Sequence, residues 1–479
     1  MSLKKAALYG MFWSAIQQFS TQGISFVVSI ILARLLSPSE FGLIGMITVL
    51  MSIGTVLMEG GLSQSLIRTN NPTKEDYTTV FYFNLIGSCV IYLIIFLLSG
   101  SIAEFYNQPL LKSVINWYGL IFIINAFSSV QYTKLSKQME FRKELLVVIP
   151  SLILSSIVGI AMAYMGYGIW SLIVSALVQS ILASIQLWIR SDWKPSWSFN
   201  KEKFNYHFHY GYKLTLSGVL DAIFVNAYAI IIGRFFAPAQ VGFYNRADTL
   251  KQLPVSNISV VLNKVTFPLF AQVYNDDERL KDIYKRIMQM VLFLIAPTLL
   301  FMSALGEPLF RLLFTAKWLP AVPYFQILCW NGILYPIHAY NLNILKVKGR
   351  SDLFLKLEVI KKLMITIVII ATIQFGVQGL LYGSIVTSVL AFFINTYYTG
   401  IFLKYTSTNQ LLDLLPIVFL ATINGVLVYC LDSVLKDYLN YDILRLIIGS
   451  VMGTLLYLVM AYIFKIDSLN ELIKIIKKQ

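Results

Sequence analysis

AIIIGRFFAPAQVGFYNRADTL, residues 229–250, aligns without a gap to SIILARLLSPSEFGLIGMITVL, residues 29–50. Ile30, Ile31, Arg34, Pro38, Gly42 and Leu50 match Ile230, Ile231, Arg234, Pro238, Gly242 and Leu250 at a constant offset of 200. In each copy an apolar helix ends at the arginine, a short turn follows, and a new helix starts at the proline. Ser37-Pro38-Ser39-Glu40 has the form of a capping box with proline at the first helical position, where its missing N–H costs nothing. A period this long is not a solenoid unit. It is half of a membrane protein, present twice.

Composition agrees. Of 479 residues, 57% are hydrophobic and 13% charged, with mean hydropathy +0.70, which excludes a soluble globular chain. Apolar runs of bilayer-crossing length recur throughout. Fourteen spans are read, among them 114–136, 240–273, 321–345, 356–375 and 378–402. The expected fold is an all-α polytopic membrane protein with about 14 transmembrane helices. Two six-helix lobes related by a parallel pseudo-two-fold occupy 1–190 (N-lobe) and 210–403 (C-lobe). The polar stretch 191–209 is read as a cytoplasmic linker, and 404–479 as two extra helices and a cytoplasmic tail.

The net charge of +14 would suggest nucleic acid in a soluble chain. Here its placement decides. With the N-terminus inside, the inner loops, helix ends and tails hold 27 Lys/Arg and the outer loops 7. That is a strong positive-inside bias, and it predicts both termini in the cytoplasm. Nucleic acid is therefore not expected as a partner. Cys89, Cys329 and Cys430 fall in spans and read as small buried hydrophobes. No Gly-rich phosphate loop precedes a Lys-Ser/Thr pair, so no built-in ATPase and no cofactor is expected. Asp276-Asp277-Glu278 reads as a helix cap rather than a metal site.

The second copy departs from the first where it carries Arg246, Asp248, Lys251, Asn257 and Lys264. Charges within a span mark a functional site by default. On a helical wheel Arg246, Asn257 and Lys264 share a face, with Asp248 and Gln252 beside them. Pairing of Asp248 with Lys251 at i,i+3 would account for two of the charges but not for Arg246 and Lys264. This helix is therefore read as the lining of a cationic cavity. Pro254, and Gly54 at the matching position of the first copy, are candidate bends. Further polar stripes run through Lys213, Ser217, Asp221 and Tyr228, through Asn331, Tyr335 and His338, and through Gln17, Gln18, Thr21 and Gln22. Glu59 sits near the inner boundary. Asp221, Glu59 and His338 are the candidates for ion coupling or gating. His207 and His209, placed in the linker, are read as interfacial anchors.

ILARLLSPSEFGLIGM, GGLSQSLIR and YNRADTLKQLPVSNISVVLNKVTFPLFAQVYNDDERLKDIY resemble the Wzx-type polysaccharide flippases, nearest the branch exporting colanic and teichuronic acid repeat units. These belong to the multidrug/oligosaccharidyl-lipid/polysaccharide exporter superfamily. The resemblance covers about residues 1–400. It implies flipping of undecaprenyl-diphosphate-linked oligosaccharide to the outer leaflet of the bacterial inner membrane, through a cationic central cavity. The substrate-binding residues are then Arg246, Lys251, Asn257 and Lys264, with Tyr228 and Tyr335 facing the sugars. The expected partners are that glycan, membrane lipids and the polysaccharide polymerase machinery, and the chain is expected to act as a monomer. The arginines of the peptidoglycan-precursor flippases' first helix are absent, with Gln17, Gln18 and Gln22 there instead. A cation or drug exporter of the same superfamily is the alternative, but it calls for an acidic cavity. A membrane glycosyltransferase or glycan polymerase calls for carboxylates or large loops at the outer face, and the loops here are short.

Overall fold

The computed structural model describes residues 3–273 and 275–477, with side chains except those of 3–8, 258–269, 271, 272 and 475–477. The chain packs as two compact units, Met1–Gly242 and Phe243–Gln479. In the first lie α1 (Leu3–Leu35), α2 (Pro38–Glu59), α3 (Leu62–Arg68), α4 (Lys74–Phe105), α5 (Leu110–Tyr118), α6 (Leu120–Lys137), α7 (Phe141–Tyr164), α8 (Ile169–Arg190), α9 (Lys201–Val225) and α10 (Ala227–Phe235). α11 (Pro238–Gln272) starts in the first unit and continues in the second. There follow α12 (Asp277–Ala304), α13 (Gly306–Phe314), α14 (Val322–Ile333), α15 (Tyr335–Val347), α16 (Ser351–Thr372), α17 (Gly376–Leu403), α18 (Ser407–Tyr438), α19 (Asp442–Ile463) and α20 (Asp467–Lys477).

Among the described residues ten helices are long and apolar enough to cross a membrane, or eleven if the bent pair α9–α10 is one span. Fourteen were expected. The run 321–345 breaks at Leu334 into α14 and α15, each too short to cross alone. The runs 356–375 and 378–402 are the separate helices α16 and α17, which count together as the one segment Ser351–Leu403 in that number. The run 240–273 forms α11, much of which lies outside the residues whose side chains are described.

The helix–turn–helix repeat forms as its residues dictate. The Ser37 side chain accepts from the Glu40 amide, and Glu40 accepts in return from the Ser37 amide at 2.6 Å. The same box recurs at Thr73 and Asp76. At the repeat the two copies touch. A methyl placed on Gly42 would overlap the Pro238 carbonyl and lie 3.2 Å from the Gly242 amide nitrogen. A methyl on Gly242 would overlap the Pro38 carbonyl and lie 3.3 Å from the Gly42 amide nitrogen. The contact is reciprocal. Gly61, with φ +66, approaches the backbone of Gly211 in the same way.

Two placements differ from the sequence reading. α9 begins at Lys201, inside the stretch 191–209, so His207 is helical and fully buried instead of anchoring at the interface. Its Nδ1 meets Ser65 Oγ at 2.8 Å and its Nε2 meets Asp76 Oδ1 at 3.2 Å, with Lys203 on the same carboxylate. This network ties α9 to α3 and to the start of α4. Cys89 and Cys430 lie on exposed faces, and only Cys329 of the three is buried. Asp276 does cap α12, accepting from the Arg279 amide at 3.0 Å.

In the second unit α12 is the most buried candidate span, packed against α14 and α18. A buried ion pair joins α18 to α19. Arg445, 2% exposed, donates from Nε and Nη2 to the two oxygens of Asp432 at 2.9 and 2.7 Å. Removing Asp432 leaves the buried Arg445 with Asp442 alone, 3.2 Å from Nη1, so Asp432→Ala is expected to cost about 3 kcal/mol, the low end for a broken buried pair. Asp432→Leu combined with Arg445→Met should cost far less, and thermal unfolding of the purified protein checks both. Nearby, burial would raise the Glu307 carboxyl, but Lys436, Arg311 and Arg445 outweigh it and hold the group below its ordinary range. Its contribution is therefore present above the ordinary carboxylate pKa and is lost as pH falls through the depressed value.

Candidate functional site

The described charges of α11, Arg246, Asp248 and Lys251, have different surroundings. Arg246 is 7% exposed, its guanidinium carbon 5.0 Å from the ring centre of Phe314 and 5.3 Å from that of Trp318. The chain turns at Thr315, a non-glycine residue with φ +76, and the short 3-10 helix Ala316–Ala321 brings Trp318 back beside Phe314. Such a backbone costs of order 1–3 kcal/mol and persists only where the surroundings fix it. Here it completes an aromatic seat for a cation. A desolvated cation–π contact is worth about 2 kcal/mol. Arg246 is thus a fixed positive charge in a low-dielectric setting.

Lys251 is drawn one turn along. Its Nζ lies 2.7 Å from Asp248 Oδ1, and its stem packs on α14, where a methyl on Gly332 would meet the lysine Cδ at 3.0 Å. Asn257 donates to the Leu253 carbonyl at 2.9 Å, a bond within its own helix. The Lys264 side chain lies outside the described residues. Pro254 sits within a helix that runs unbroken from Pro238 to Gln272. Gly54 is buried, and a methyl there would collide with the Phe122 ring, so its lack of a side chain makes room for α6.

His338 on α15 is held by α17. Asn395 donates to its Nδ1 at 3.3 Å, which leaves Nε2–H to donate to Ser388 Oγ at 3.1 Å. Tyr335, at the start of the same helix, is 48% exposed. In the first unit Asp221 lies on an exposed face of α9, and Tyr228 is half-buried on α10.

The larger feature of the first unit is a cavity of about 590 Å³ walled by α2, α3, α6, α7 and α8. Glu59, at the end of α2, and Glu144, on α7, both line it. Gln17 of the α1 stripe donates to Glu144 at 3.0 Å. Sequence reasoning found Glu59 and Gln17 but not the cavity. The missed signal was Asn125, Ser128, Ser129, Tyr132, Thr133 and Ser136. They recur at i, i+3, i+4, i+7, i+8 and i+11, one face of a helix read as a plain span.

The chain has relatives of known kind. The profile of the family described as "Polysaccharide biosynthesis protein" matches residues 31–323. The lipopolysaccharide biosynthesis protein WzxC of Escherichia coli (strain K12) is 24% identical over 401 residues, 82% of each chain. The teichuronic acid biosynthesis protein TuaB of Bacillus subtilis (strain 168) is 23% identical over 460 residues, 95% of each chain. The succinoglycan biosynthesis transport protein ExoT of Rhizobium meliloti (strain 1021) is 26% identical over 329 residues, 68% of this chain and 67% of its own. Among solved structures, the lipid II flippase MurJ in an inward closed conformation superposes with TM-score 0.75 at 14% identity, covering 95% of this chain and 99% of that one. An inward-facing multidrug resistance MATE family transporter gives TM-score 0.59 at 16% identity, covering 80% of this chain and 96% of that one. At such identities these likenesses speak for the fold.

Proposed function

Because the chain belongs to the polysaccharide biosynthesis protein family, as a Wzx-like exporter and not an enzyme, we propose that it flips undecaprenyl-diphosphate-linked oligosaccharide repeat units from the inner to the outer leaflet of the bacterial cytoplasmic membrane. The observation that carries this reading is similarity along almost the whole chain to a protein named for teichuronic acid biosynthesis, supported by a transport protein named for succinoglycan. The diphosphate is the constant part of such a cargo, and the sugars vary. It calls for cationic hydrogen-bond donors out of water, with an arginine fork favoured over a lysine. Arg246 and Lys251 on α11 are the residues proposed for it. Two six-helix lobes exchange access between the two sides, with both termini and 191–209 cytoplasmic. Deleting the gene tests the function: the lipid-linked glycan should accumulate on the inner leaflet and surface polysaccharide should fall. Unchanged export would sink the reading. A cysteine at Ser198, in a background without Cys89 and Cys430, should resist an impermeant thiol reagent in intact cells; labelling from outside would refute the topology.

A further inference from the structure

We propose that the cavity of the first unit is a carbohydrate subsite, which takes the sugars distal to the diphosphate. The inference rests on the flippase reading above. About 590 Å³ gives room for roughly twenty waters, the size of an oligosaccharide site and far more than a bare cation needs. Most of its lining residues carry a hydrogen-bonding side chain; only Met58, Ile67 and Ala183 do not. No lysine or arginine among the described residues lines it, so a phosphate has no counter-charge there.

What the wall offers instead is what a polyhydroxylated ring needs. Glu59 and Glu144 accept from hydroxyls, Gln64 and Asn125 both donate and accept, and Tyr132 supplies a ring face. The groups are held in place from behind. Gln17 fixes Glu144. Asn84, fully buried, donates to Ser129 Oγ at 3.0 Å, and that hydroxyl in turn donates to the Ala126 carbonyl at 3.1 Å. A cavity whose hydrogen-bonding groups are already oriented loses less on binding than one that must order them.

The test uses the full-length protein in lipid vesicles and two probes. One is a short-chain polyprenyl diphosphate carrying one N-acetylhexosamine, and the other is the same carrier extended to a trisaccharide. Ser129→Phe and Ser180→Phe fill the cavity, and Glu59→Gln removes one acceptor charge without changing volume. Loss of one or two hydrogen bonds should slow the trisaccharide probe about tenfold and leave the monosaccharide probe within about twofold. Equal loss of both probes in all three variants, or loss of neither, overturns the subsite while the flippase reading stands. A sodium or proton dependence that Glu59→Gln removes equally for both probes marks the cavity as a cation site and overturns it too. If the unaltered protein moves neither probe, the flippase reading fails and takes the subsite with it.

Discussion

Gly242→Ala is expected to cost about 3 kcal/mol and to leave little of the protein folded in the membrane. The new methyl meets the Pro38 carbonyl, a backbone atom at the start of α2 that cannot rotate aside as a side chain could. Gly42→Ala should do the same through the Pro238 carbonyl. The general gain of about 0.5–1 kcal/mol from alanine over glycine within a helix is too small to offset the clash. The two substitutions act on one gap. Once the first methyl has pushed the helix starts apart, the second finds room, so the double variant should cost clearly less than the sum. Thermal unfolding in detergent and membrane yield measure this. Additive losses would show that the two glycines do not share a contact.

Arg246→Met is expected to lower export about tenfold to a hundredfold, the scale of one lost charge-assisted hydrogen bond, while the protein still reaches the membrane. Methionine keeps most of the volume between Phe314 and Trp318 and removes the charge. Arg246→Lys keeps the charge but not the planar stack or the fork, and should fall between methionine and the native residue. Arg246→Ala leaves a gap beside Trp318, which is fully buried, and should lose stability as well as export. Lys251→Ala differs in kind, because it releases Asp248, 38% exposed, to the solvent side. Its defect should be milder than that of Arg246→Met. Export of surface polysaccharide, normalised to membrane level, checks the series. Normal export by Arg246→Met would remove this charge from the mechanism.

The repeat was legible because its signals are local. Proline at Pro38 and Pro238, the Ser37–Glu40 box and the arginine before each turn act within a few residues, and helices break and restart there. The matched glycines could be seen in the sequence, but not the reason for them, which is an approach of one copy to the other. The run 321–345 was misread for a related cause. Hydropathy sums over a window and does not register a break such as that at Leu334. The seat of Arg246 was hidden because Phe314 and Trp318 lie far along the chain and reach it only through the turn at Thr315. His207 was misread because Ser65 and Asp76 come from two other segments, and a polar stretch with Pro195 resembled a linker. The polar face of α6 was written plainly at helical spacing. It passed as a span because hydroxyls scarcely lower hydropathy.

Under the proposed function this chain moves a diphosphate-linked glycan across a bilayer. The direct measurement is leaflet exchange of the monosaccharide probe in vesicles holding the purified protein, followed by accessibility to an external reagent. Exchange should exceed that of protein-free vesicles by about a hundredfold or more, which corresponds to a barrier lowered by about 2.7 kcal/mol. It should collapse for the same carrier with its diphosphate replaced by a neutral linker, because that cargo offers no charge for the cations of α11 to hold. Exchange no faster than in empty vesicles, or equal exchange of the neutral carrier, would contradict the account.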